Sequence, residues 1–238
     1  MLAEQAIFSS ESGPSKQGYR LVSHSPGVSR SQINSLTQWG PSHGALVSNE
    51  LDFASLNFHP LDDTHFAISR TVYGGPEYSQ RGSFQIFTRS ILVKNTLLED
   101  YDDNPLWLLN HCNILGNLRF DRHVVGRDSL PALELPECSY IGRPNVSEPE
   151  RSTREKVANC VQMLQLGRNV ALVGESVNLN VFSYLISLLA SDIRSQLSFT
   201  TGLRPSVRRP FHLHLFSKLT PDLKTQFKKL GINEVCLA

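Results

Sequence analysis

The sequence predicts a mixed α+β and α/β architecture: an N-terminal antiparallel-sheet domain with short helices, then a smaller α/β domain with a mainly parallel sheet. Three observations carry this reading. Three β runs follow one another between residues 53 and 93. From residue 150 onward, helical and strand patterns alternate, the order of an α/β layer. Between these regions, residues 113–149 are irregular and rich in proline and glycine. The expected organisation is a flexible leader at 1–17, an N-terminal α+β domain at 18–112, a linker or irregular excursion at 113–149 and an α/β domain at 150–238.

Residues 1–17 contain the run from Ser9 to Ser15, which has no periodicity and is expected to fray. Tyr19 to His24 is a short β run that Ser25-Pro26-Gly27 ends. Ser29, with Gln32 three residues on, forms a capping box for a helix carrying Ile33, Leu36 and Trp39 on one face. Gly40-Pro41 stops it. Ala54, Leu56 and Phe58 alternate with Ser55, Asn57 and His59. Phe66, Ile68, Arg70 and Val72 share a face beyond the turn at Leu61 to Thr64, so the pair reads as an antiparallel hairpin. The run from Phe84 to Val93 is apolar on both faces and is expected to be covered on both sides. Asn104-Pro105 opens a short helix, with proline at its preferred first turn.

The second half begins with a capping box at Ser147 and Glu150. Val157, Cys160, Val161 and Leu164 then line a helical face that ends at Gly167. Asn169 to Gly174 is an apolar strand. Phe182, Leu185, Ile186, Leu189 and Ile193 mark the next helix. Phe211 to Phe216 is a strand, Leu223, Phe227 and Leu230 mark an amphipathic helix, and Val235 to Leu237 is a last strand.

Composition excludes several classes. Of 238 residues, 40% are hydrophobic and 19% charged, the balance of a chain that buries a core. The formal net charge of +1 draws it toward neither nucleic acid nor an anionic membrane. Four scattered cysteines (Cys112, Cys138, Cys160, Cys236) form no CxxC pair, so no zinc site is expected. Met1 to Lys16 is polar, with no apolar core of a signal peptide. The expected setting is a reducing cytoplasm with free thiols. No cofactor is expected.

Chemistry-bearing motifs are sparse. The strand–Gly–helix step at Val170 to Ser176 has the form of a phosphate-binding turn. It lacks the glycine, lysine and hydroxyl spacing of a P-loop and the glycine pattern of a dinucleotide site, so a plain turn is expected. Thr200, Thr201, Arg204, Arg208 and Arg209 combine hydroxyls with guanidinium forks, which suit an anion or an acidic protein patch. From Thr200 onward, seven Lys/Arg stand against Asp222 and Glu234. His212 and His214, two residues apart on a strand, share a face and would need a third ligand to hold a metal. Arg20, His24, His59, Arg70, Tyr78 and Arg81 make a candidate N-terminal pocket. Arg70 falls on an apolar face and needs an internal carboxylate or a ligand's anion.

Several stretches resemble one bacterial family. They are GYRLVSHSPGVS at 18–29, WGPSH at 39–43, FHP at 58–60, SRT at 69–71 and EYSQRG at 77–82. In this order they resemble the type-2 N-terminal domain of the GTPase-associated protein 1 family. LSFTTGL at 197–203 and RRPF at 208–211 resemble that family's middle domain. The resemblance implies an adaptor or partner of a small GTPase-like protein in a multi-component bacterial conflict system. It brings no catalytic residues to carry over. Family members commonly continue into a further C-terminal region, which implies that this chain is short or one part of a split system. Two other classes stay open. A hydrolase or nucleotide-processing enzyme would gather His24, His59 or Arg70 in one cleft. Nucleic-acid binding through the C-terminal basic stretch would be strongly salt-dependent.

Overall fold

A computed structural model describes residues 1–13, 16–76, 84–121, 129–135 and 146–237. Ten strands among these residues form one mixed sheet. In chain order they are β1 (Leu2–Gly13), β2 (Lys16–His24), β3 (Ala54–Asp62), β4 (His65–Pro76), β5 (Phe84–Lys94), β6 (Leu133–Glu134), β7 (Val170–Val173), β8 (Phe199–Thr200), β9 (Leu213–Phe216) and β10 (Asn233–Cys236). The helices are α1 (Arg30–Trp39), α2 (Asn95–Glu99), α3 (Pro105–Ile114), α4 (Arg151–Gln165), α5 (Leu179–Leu188), α6 (Ser191–Gln196) and α7 (Pro221–Leu230).

The strand order is β10-β7-β9-β8-β3-β4-β5-β1-β2, with β6 added to the start of β1. The segment from β3 to β2 is antiparallel throughout. The segment from β10 to β8 is parallel. The two meet where β8 pairs antiparallel with β3, through Asn57↔Thr200 and Phe58↔Phe199. The sheet therefore runs unbroken from the first half of the chain into the second.

The expected leader at 1–17 is corrected over residues 2–13 and 16–17, which are strand; residues 14 and 15 lie outside the described residues. Residues 2–13 form β1, which sits between β5 and β2. Ser9 and Ser10 are buried in it rather than frayed. Ser9 is buried and its hydroxyl donates to the Ile86 carbonyl at 2.8 Å. Part of the expected linker is ordered too: Leu130 is buried, and β6 pairs with β1 at Leu2↔Glu134.

Side-chain caps mark four of the seven helix starts among the described residues. Ser29 and Gln32 form the capping box of α1, and the Asn104 side chain caps α3 at Leu106 and Trp107. The box expected at Ser147 does not form. α4 starts at Arg151, and Glu150 takes the cap position without a side-chain bond.

Helices cover both faces. On one face α2 to α6 pack a single core that joins Phe58, Ile68 and Ile91 of the antiparallel half to Leu172, Leu213 and Phe199 of the parallel half. Phe199 stands at its centre, 5.8 Å from the Phe58 ring and 4.7 Å from that of Phe182. On the other face α1 packs through Leu36 onto Ala6, Ala67 and Leu92. α7 packs there through Leu223 and Phe227 onto Ala171 and Phe216. Among the described residues no helix is long and apolar enough to cross a membrane.

Candidate functional site

Successive residues of a strand point to opposite faces, so β3 and β4 present two different surfaces. Ser55, Asn57 and His59, with their partners Thr71, Ser69 and Ala67, face α1. Leu56 and its partner Arg70 face the other way, toward α5.

The α1 face carries a buried polar seam. The Asn57 side-chain oxygen accepts from Thr200 Oγ1 at 2.6 Å and from Ser55 Oγ at 2.8 Å. Its amide nitrogen donates to Ser69 Oγ at 3.2 Å and Thr71 Oγ1 at 3.3 Å. Thr71 continues to Thr88 at 3.0 Å. Thr200 also accepts from the Leu203 backbone at 3.0 Å. Every one of these side chains is buried, and each has its partner. His59 closes the seam at one end. Its ring stacks on Trp39 at 4.2 Å, and its Nδ1–H donates to the Pro60 carbonyl at 3.0 Å. Burial pushes the His59 pKa down to about 4, so the ring is neutral. The cavity here is about 10 Å³, room for one water.

The opposite face carries an open crevice of about 390 Å³ beyond the carboxyl ends of β7 and β9. Ala54, Leu56, Phe182 and Leu215 form its floor and Phe53 and Val177 its side. Its polar groups are Arg70, Thr201, Asn113, Asn178 and Ser217, and among the described residues no carboxylate lines it. Asn178 caps α5, accepting from the Asn180 and Val181 N–H groups at 3.0 Å. Thr201 accepts from the Leu56 N–H at 2.8 Å, which leaves its own hydroxyl hydrogen to donate. Arg70 has no hydrogen-bond or ion-pair partner among the described residues. Burial lowers its pKa.

The residues singled out in sequence do not converge. Arg20 and His24 lie on β2, opposite Ser9 and Ala6, four strands from β3. His59 and Arg70 occupy opposite faces. Tyr78 and Arg81 lie outside the described residues. Thr200 is committed to the seam and Thr201 to the crevice. Arg204 pairs with Asp222. Arg208 is exposed at the tip of a tight turn closed by the Ser206↔Arg209 bridge. Arg209 folds back beneath that turn, only 8% exposed, and donates to the Arg204 carbonyl at 3.4 Å. Burial and the adjacent Arg208 bring its pKa down to about 10.

The remaining candidates resolve as packing. His214 is buried against Phe211 and Phe216, and burial pushes its pKa down to about 3. His212 pairs with the Ser198 hydroxyl at 3.1 Å. Among the described residues no three His, Cys, Asp or Glu side chains gather where a metal ion could sit. The Cys112 and Cys160 thiols are pushed up to about 12 by burial. Gly174 is needed for close packing rather than for phosphate. At its φ of 150° an added Cβ would lie 2.6 Å from the Leu237 carbonyl oxygen.

Residues 2–136 match the family description GTPase-associated protein 1, N-terminal domain type 2. The chain belongs to the GTPase-associated protein 1 family. Searches of curated proteins and of solved structures return no match. The GTPase-associated protein 1 N-terminal domain of this chain contains β1 to β6 and α1 to α3, including the strand that sequence reading took for a leader. The crevice is shared. Leu56, Arg70 and Asn113 come from the matched segment, and Asn178, Phe182 and Leu215 from the segment beyond it. Of these, sequence reasoning singled out only Arg70 as a candidate. Asn178 was findable as a cap residue before an apolar helix, but nothing in the sequence places that helix over Arg70.

Proposed function

We propose that the chain is a non-enzymatic partner or regulatory component of a bacterial GTPase-centred multi-protein system acting in conflict or defence. The observation that carries this reading is the family match over residues 2–136. The contact surface it favours is the turn at Ser206 to Arg209. Val207 is 82% exposed at its tip, beside exposed Arg208, while buried Arg209 holds the turn from below. An exposed apolar residue next to a guanidinium suits an acidic protein surface. The enzymatic alternative required His24, His59 or Arg70 in one cleft. His24, His59 and Arg70 lie on different strands or faces, which favours the partner reading over it.

The test is affinity purification of the tagged chain from its host, then reconstitution with the recovered GTPase loaded with GDP or with a non-hydrolysable GTP analogue. The expected result is a complex in at least one nucleotide state that Arg208→Glu weakens. Failure to bind in both states would sink the proposal.

A further inference from the structure

Arg70 is the least explained side chain on the sheet. It stands on β4 directly across from Leu56 on one side and from Arg89 on the other. Like charges directly opposite each other on neighbouring strands are unfavourable. Arg89 is compensated: its guanidinium donates to Gln5 Oε1 at 2.7 and 3.2 Å and to the Arg119 carbonyl at 3.2 Å. Among the described residues Arg70 has no such partner, and it is half-buried in a lining that is largely apolar. A guanidinium in that setting gains most from an anion supplied from outside.

The surroundings fit that anion. Among the described residues no carboxylate lines the crevice, and the ten-residue helix α5 turns its Asn178-capped N-terminus toward it. The Thr201 hydroxyl is free to donate. Asn113 and Ser217 are the crevice's other polar groups, and the remaining lining is apolar. The volume lies within the usual range for small-molecule sites, roughly 300–1,000 Å³. The position, beyond the carboxyl ends of parallel strands, is where open α/β sheets take ligands. The larger recess near β3 and α2, about 620 Å³, is lined by Asp62, Asp63, Glu99 and Asp103 and would repel the same molecule.

We infer that this crevice binds a small organic anion, a carboxylate or a phosphate monoester, with an apolar ring body. Arg70 and Thr201 take the charged end. Phe53, Leu56, Phe182 and Leu215 take the body. Because the walls come from both halves of the chain, the occupied site ties α5 to β4.

The test is calorimetric titration of the full chain with four probes. They are 1-naphthoate, adenosine 5′-monophosphate, inorganic phosphate as an anion without a body, and naphthalenemethanol as a body without an anion. The expected result is saturable one-to-one binding of naphthoate, of the nucleotide or of both, at least about tenfold tighter than either half-probe. Which of the two binds tells a carboxylate ligand from a phosphate one. Arg70→Gln weakens that binding about tenfold or more, the worth of a charge-assisted contact. Ser217→Phe fills the exposed mouth with Arg70 intact and weakens it as well; it decides the matter if Arg70→Gln does not fold. The inference is overturned if neither naphthoate nor the nucleotide saturates below about 1 mM. It is equally overturned if inorganic phosphate binds as tightly as both, or if binding survives the variants.

Discussion

The Asn57 seam and the Arg70 crevice occupy the same two strands, yet they treat polarity in opposite ways. Asn57 and Ser69 are paired across β3 and β4, and so are their immediate neighbours Leu56 and Arg70. On the Asn57 side a chain of amide and hydroxyl groups is buried, closed and fully partnered. On the Arg70 side a single charge faces a cavity with no opposite charge among the described residues to balance it. A closed network fixes the fold and leaves no capacity for anything else. An open one leaves binding capacity in hand. The difference identifies the crevice, rather than the polar seam with its histidine, as the surface with chemistry to spare.

Four perturbations would break or sharpen this contrast. The largest effect is expected at Phe199, which lies between the two regions on β8. Phe199→Ala empties the centre of the shared core and should cost about 4 kcal/mol in urea unfolding, in one transition for both halves. Two separate transitions would show that the halves hold together independently.

Next comes acid. His59 is held neutral in the folded chain, its pKa lowered from 6.5 to about 4. Between those values the unfolded chain takes up a proton that the folded chain does not. Stability therefore falls as pH drops from 6.5 to 4 and levels off below, by on the order of 3 kcal/mol. His214 extends the decline to about pH 3. His59→Phe should shrink the slope in unfolding measured across this range.

Asn57→Ala should cost about 2 kcal/mol, because the buried hydroxyls of Thr200, Ser69 and Thr71 lose the group that joins them. A neutral result in thermal unfolding would mean that water replaces the amide. The smallest effect is expected at Arg70. Without ligand, Arg70→Gln should change stability by less than about 1 kcal/mol, in the stabilising direction, since it relieves the opposition to Arg89. A large loss would show that Arg70 has a structural partner after all and would close the contrast.

Much of the fold was legible because its signals are local. Ser29 with Gln32 and Asn104 with Pro105 set helix starts by chemistry within four residues, and the turn at Leu61 to Thr64 set the hairpin. β1 was not legible. The apolar stretch from Ala6 to Phe8 is short, and Ser9 and Ser10 read as loop residues until Ile86 supplies an acceptor from 77 positions away. Ser147 shows the reverse failure, a correct local signal overruled because α4 begins three residues later. The site was legible as far as two residues, Arg70 and Thr201, which the sequence does not place together. That Arg70 needs an anion follows from its place on an apolar face. That no internal carboxylate answers it depends on which distant elements fold over it, and periodicity carries no such information.

The narrow join at β8 has a consequence for how the molecule assembles. Among the described residues two residue pairs between β3 and β8 connect the antiparallel and parallel parts of the sheet, and the Thr200–Asn57 bond closes 143 positions of chain. The hairpins of the first half need only short loops. Seating β8 must await an encounter between segments far apart in sequence, and such closures are what slow folding. The crevice is thus among the last features to appear: a nascent chain has Arg70 early, but has a binding site only once the two ends of its sheet have found each other.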